Sequence, residues 1–257
     1  MHSPFHAAFW IALLVGIASG SVGPFILLRR MALVGDALSH VALPGIALAL
    51  FYGIDPFYGV VVFLIGAAFL IFWLEGRSRI PPDAIVGLMF TASLAIGILM
   101  LPRNDVIESL FGAFPVLSVP YLLAILASAL VLSALCFVLA RQFLFLIVSP
   151  DLARVHGVDR KFDLALLVVF ALIVALGIKL VGTLLMGALT IIPASIAKNV
   201  SRSMRLYVIA SAALGGAISV GGVWLAGMFR FLPGPAIVLL GVALFVISLP
   251  LARRKTA

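Results

Sequence analysis

Apolar runs of about twenty residues follow one another along nearly the whole chain, and the short breaks between them carry most of its charge. A run of that length matches the roughly 20 helical residues that cross a bilayer, and is about twice the length of a membrane β-strand. Backbone N–H and C=O groups in hydrocarbon must be satisfied within the element itself, so the runs are expected to be helices. Composition points the same way, with 65% of residues hydrophobic and 10% charged. A soluble domain is about half apolar and about a quarter charged. No stretch is left for a sizeable soluble domain. The expected architecture is all-α, a polytopic integral membrane helix bundle of about eight or nine transmembrane helices, formed by one domain over residues 1–257.

Nine candidate spans lie at roughly 7–28, 32–53, 57–74, 84–101, 120–140, 162–180, 182–198, 206–229 and 235–251. Nine spans put the two ends of the bundle on opposite sides. With the N-terminal end outside, 14 of the 17 basic residues fall inside and only Arg103, Lys179 and Arg230 fall outside. The reversed orientation breaks the positive-inside rule. The net charge of +8 is therefore read as a topology signal and not as a nucleic-acid footprint, since the basic residues sit singly or in pairs at span ends. Residues 1–28 hold no Lys or Arg, so the charged start of a cleavable signal peptide is missing. The lone Cys136 allows no intrachain disulfide and is read as a packing residue. The tightest point is the junction of 162–180 with 182–198, where Lys179 has to snorkel to the outer interface.

Asp36 and His40 stand four residues apart within the second span. Of nine acidic residues Asp36 alone is clearly inside a span, and of four histidines His40 alone is. One helical turn separates them, so both leave the same face. At about 1.5 Å per residue they lie roughly 10 and 16 Å beyond Arg29, which brings His40 near the bilayer middle. Ionisable groups at that depth are costly and usually mark a pathway. The plainer alternatives are an Asp36 paired with Arg29 or Arg30 and a His40 bonded to neighbouring backbone. An oxygen and a nitrogen ligand on one face suit a divalent metal, but two ligands are too few for a tight site. A second copy across a twofold axis would supply two more. Ser39 and Pro44 are expected to line the same path, and Pro24, Pro44 and Pro193 to kink or interrupt their helices.

Two segments are too short to span. Residues 105–118 are amphipathic and external in this topology, as an interfacial helix or re-entrant loop would be. Residues 149–161 are internal. Ser149 suits an N-cap, Pro150 the first helical position, Asp151 the positive helix end and Gly157 the stop. The short helix so formed carries Leu152 and Val155 as apolar knobs and Arg154 and His156 as polar ones, a shape suited to docking a soluble partner. Gly16 and Gly20, and Ser211, Gly215 and Ser219, repeat every four residues and mark close helix packing.

The chain has no G-x-x-x-x-G-K-[ST], no G-x-S-x-G and no H-E-x-x-H. It therefore cannot bind ATP through a P-loop of its own, and the familiar hydrolase signatures are absent. The run from Gly23 to Gly45, which includes Gly35-Asp-Ala-Leu-Ser-His40, resembles the signature of the zinc/manganese-type ABC-importer permeases. The stretches Val181–Ser195 and Leu232–Val238 are similar to two further parts of that family. The resemblance implies a type II ABC-importer-like bundle in a bacterial cytoplasmic (inner) membrane. It further implies a homodimer surrounded by membrane lipid, working with two cytoplasmic ATPase subunits that bind ATP and with an extracytoplasmic metal-binding protein. The family's coordinating Asp and His carry over onto Asp36 and His40, and its coupling helix onto the 149–161 segment. The cargo implied is Zn2+ or Mn2+, with no permanently bound cofactor, and the chain is a pathway subunit and not itself an enzyme. Two other classes fit the residues alone: a secondary transporter using Asp36 and His40 as a proton relay, and an intramembrane metalloenzyme. For the last, no third ligand with an activated water is evident.

Overall fold

A computed structural model of the chain describes residues 4–78, 80, 82–100, 110, 118–149, 153, 159–183 and 185–253. Nine helices occur among them: α1 Pro4–Leu28, α2 Val34–Phe51, α3 Pro56–Arg77, α4 Pro82–Met100, α5 Val119–Val148, α6 Lys161–Val181, α7 Met186–Val200, α8 Met204–Phe229 and α9 Pro233–Arg253. Each overlaps one of the nine apolar runs, and eight are long and apolar enough to cross a membrane. The exception is α7. Its 15 residues amount to about 22 Å, short of the roughly 30 Å of hydrocarbon. The connection before it explains the shortening. Gly182, at φ 83°, ends α6, and helix resumes only after Leu185.

Helix ends follow local chemistry. The Asp55 carboxylate accepts from the Phe57 amide at 2.8 Å, ahead of Pro56 at the first helical position. Ser203 caps α8 by accepting from Leu206 at 3.3 Å. Arg30 and Arg230 take up left-handed conformations where the chain reverses after α1 and α8. The prolines inside α1, α2 and α7 are carried within continuous helices. Of the kink or interruption expected at Pro24, Pro44 and Pro193, the interruption does not occur, because packing holds the helix through the one missing hydrogen bond.

The centre of the bundle is α1, which packs against α5, α6, α7 and α8. Its partnership with α8 rests on small residues. Gly16 meets Gly215 and Ser219, Gly20 meets Ser211 and Ala212, and the Ser211 hydroxyl donates to the Gly20 carbonyl at 2.6 Å. Apolar area gives no association in lipid, so this backbone-to-backbone approach and the buried hydrogen bond hold the pair. The pairing Gly16–Ser219 and Gly20–Ser211 makes α1 and α8 antiparallel. Gly222 meets Ile237 and Ile218 meets Gly241, so α8 and α9 are antiparallel as well. Ile192 meets Gly241 and Asn199 bonds Ser248, so α7 runs parallel to α9. Alternation therefore survives through the short α7, and α1 begins on the side opposite to where α9 ends.

A second group forms around α2, which packs between α3 and α4 and also touches α6 and α7. The outer faces of α3, α4 and α5 expose large apolar side chains such as Val62, Leu88, Leu99, Val131 and Val138. Water would penalise such a surface and acyl chains accept it. Cys136 is fully buried, as a packing residue should be. At the ends of α1, α3 and α6 that the charge bias assigns to the inside, the Arg29 guanidinium lies 3.0 Å from the Glu75 carboxylate and 2.9 Å from that of Asp163. Beside it Arg160 stacks over the Phe72 ring and donates to the Phe72 carbonyl.

Candidate metal pathway site

The α2 helix brings Asp36 and His40 to one face, as one turn of spacing requires. His40 is 4% exposed, and Asp36 is half-buried. Neither plain alternative is realised. Arg29 is engaged by Glu75 and Asp163, and among the described residues no cation pairs with Asp36. The His40 Nδ1 is buried without a hydrogen-bond partner. A buried polar nitrogen left unbonded costs about 1–3 kcal/mol, so it calls for a ligand. The ring is held in place nonetheless. Phe90 of α4 meets it edge-on, with centroids 4.8 Å apart and planes at 87°.

Ser39 is fully buried, and its hydroxyl donates to the Gly35 carbonyl of its own helix at 2.7 Å. That bond braces the turn carrying Asp36 and spends the hydroxyl proton, while the oxygen keeps the lone pairs that a cation would take. Pro44 lies within α2 and is buried. Having no N–H, it cannot donate to the carbonyl four residues back, which is that of His40. A backbone oxygen is thus released from the helical ladder at the same residue that holds the unspent nitrogen.

Glycines decide how closely Asp36 is covered. Gly187, in the first turn of α7, lies directly against Gly35 and Asp36, and a Cβ at position 187 would collide with the Asp36 carboxylate. The N-terminal turn of α7 therefore sits on the carboxylate, with its unpaired amides and positive end close by. Composition alone could not have shown this contact, because two glycines 152 positions apart carry no pairing signal. Phe90 gave no signal either. Among the described residues no group of three or more His, Cys, Asp and Glu side chains is gathered, so no third side chain of this kind joins Asp36 and His40 there.

Of the proposed docking segment, Pro150, Asp151, Leu152, Arg154, Val155 and Gly157 lie outside the described residues. Ser149 directly follows α5, and Ala153, helical and fully buried, donates its amide to the Ser149 carbonyl at 3.0 Å. The expected interfacial element at 105–118 also lies outside the described residues, apart from Leu110 and Ser118.

Comparison with known proteins matches residues 1–252 to the profile of the ABC 3 transport family. The manganese import system permease protein ScaB of Streptococcus gordonii is 32% identical over 95% of this chain and 90% of its own. The high-affinity zinc uptake system membrane protein ZnuB of Haemophilus influenzae is 32% identical over 93% and 95%. Among solved structures, PsaBC from Streptococcus pneumoniae in complex with Fab superposes with a TM-score of 0.83 at 32% identity, covering 98% of this chain and 94% of that one.

Proposed function

Because the chain belongs to the ABC 3 transport family, we propose that it is the membrane-spanning permease of an ABC importer for divalent metal ions, zinc or manganese. It is a multi-pass protein of the bacterial cytoplasmic membrane. The chain has no P-loop, so ATP binding and hydrolysis fall to separate cytoplasmic ATPase subunits. A metal-binding protein on the outer side delivers the ion. The 149–161 segment, with Leu152 and Val155 as its apolar contacts and Ser149, Pro150, Asp151, Arg154 and Gly157 shaping it, transmits ATPase motion to the bundle.

The observation that carries this reading is the buried, unbonded His40 Nδ1 one turn from an Asp36 that no cation among the described residues neutralises. Imidazole nitrogen and carboxylate oxygen together suit Zn2+ and Mn2+. Two ligands from each of two chains make a four-ligand site across a homodimer axis. Each chain holds its half rigidly: Phe90 fixes the imidazole edge-on, and the Ser39 bond steadies the turn that carries the carboxylate. A site of few ligands binds long enough to admit the ion and weakly enough to release it.

Uptake of radioactive or fluorescently detected metal into proteoliposomes tests the site. Asp36→Ala and His40→Ala are each expected to abolish ATP-dependent uptake while leaving co-purification with the ATPase intact. Normal uptake by either variant would remove the pair from the pathway. Uptake by the chain alone, with no ATPase present, would instead mark a secondary transporter.

A further inference from the structure

A groove of about 650 Å3 runs between the second half of α5 and the first turns of α8, far from Asp36 in the helix order. Both walls pack on α1, and neither is among the helices packed on α2. From Phe137 to Ser149 the α5 side of the groove spans thirteen residues, about 18 Å from first to last, close to the roughly 15 Å of one leaflet's hydrocarbon. Phe137, Val138, Leu144, Val148, Val208 and Ile209 make the lining mostly apolar. Val138 and Ile209 are 70% and 56% exposed, so the groove opens sideways to lipid.

Its charge is all of one sign. Arg141 and Arg205 line it, and among the described residues no carboxylate does. Neither arginine makes an ion pair among the described residues. The Arg141 guanidinium reaches one turn along α5 toward its C-terminal end, to within 5.6 Å of the Phe145 ring centroid. Arg205 lies in the first turn of α8, where unpaired amides and the positive helix end add to its charge. Both groups therefore gather at the end that the basic-residue bias assigns to the inner leaflet. Basic pockets between transmembrane helices on that side attract anionic headgroups.

We propose that this groove is a binding site for one anionic phospholipid of the inner leaflet, with an acyl chain along α5 and the phosphate between Arg141 and Arg205. Charge complementarity selects lipid over a helix of a second copy, whose contact would have to cover both arginines with no carboxylate among the described lining residues. The bound lipid lies against Ser149, at the root of the segment that leads toward the ATPase side.

The test uses the full chain in phosphatidylcholine nanodiscs made with and without phosphatidylglycerol, followed by native mass spectrometry of lipid retained after detergent extraction. Phosphatidylglycerol is expected to stay bound and phosphatidylcholine to wash off. The R141Q/R205Q variant should bind it about thirtyfold more weakly, from the charge lost at the membrane surface, whereas R141K/R205K should keep most of the binding. An unchanged melting temperature in pure phosphatidylcholine confirms that the glutamine variant folds. R77Q/R202Q, which removes two basic residues outside the groove, should leave retention unchanged. Equal loss in both glutamine variants would reduce the effect to diffuse surface charge and overturn the site. Equal retention by wild type and R141Q/R205Q, or a change of oligomeric state in that variant without loss of lipid, would overturn it too.

Discussion

At the scale of single residues, this protein depends on groups left unsatisfied where satisfaction was easy. The His40 Nδ1 could have found a backbone carbonyl and does not. Ser39, beside it, does so at 2.7 Å. Asp36 could have met Arg29 across the α1–α2 turn, yet that cation is engaged by Glu75 and Asp163. The opposite demand falls on Gly187, which must carry no side chain because the Asp36 carboxylate occupies the space of its Cβ. Gly187→Ala is expected to displace α7 from α2 and reduce metal uptake at least tenfold, with assembly retained. Wild-type uptake rates in G187A proteoliposomes would show that the close approach is incidental.

Single elements add a second set of constraints. The Arg29 cluster joins α1, α3 and α6 at one end of the bundle with one guanidinium between two carboxylates. Removing the cation leaves two partly buried anions facing each other, so Arg29→Ala should cost about 3 kcal/mol, as for a broken buried pair. Glu75→Gln should cost much less, because Asp163 still balances Arg29. Thermal melts of both variants in one detergent check the order, and equal losses would mean that the cluster is not electrostatic. On the 149–161 element, replacing Leu152 and Val155 with glutamate should abolish capture of the ATPase subunit in pull-down assays. Undiminished capture would move the docking surface elsewhere on the inner face.

For the whole molecule, the decisive quantity is stoichiometry. One chain brings two side-chain ligands, and no further cluster of such side chains exists among the described residues. A homodimer joined at the Asp36 face is expected to bind one metal ion per two chains, measurable by metal analysis of the purified transporter. One ion per chain would mean that each subunit completes its own site.

Much of this was legible in the order of residues. Hydrophobic run length forces the all-helical bundle because lipid offers backbone groups no other partner. The pair Asp36 and His40 is visible because charge at depth is rare and a helical turn is a fixed spacing. Helix count was less secure at α7, since an apolar run of span length does not reveal that its first residues serve a Gly182-terminated turn. The unbroken run of helix through Pro24, Pro44 and Pro193 was not legible either, because neighbours, and not the helix itself, hold those turns. What tertiary structure alone decided was contact between distant segments: Gly187 on Asp36, Phe90 on His40, and Arg29 on Glu75 and Asp163. Periodicity and composition report on solvent and on the local backbone, whereas such contacts depend on how nine helices share space. By itself, then, the sequence determined a membrane helix bundle with one buried Asp/His pair. Packing determined that Phe90 holds His40, that α7 covers Asp36 and that no cation among the described residues meets it, because such contacts join segments far apart in the chain.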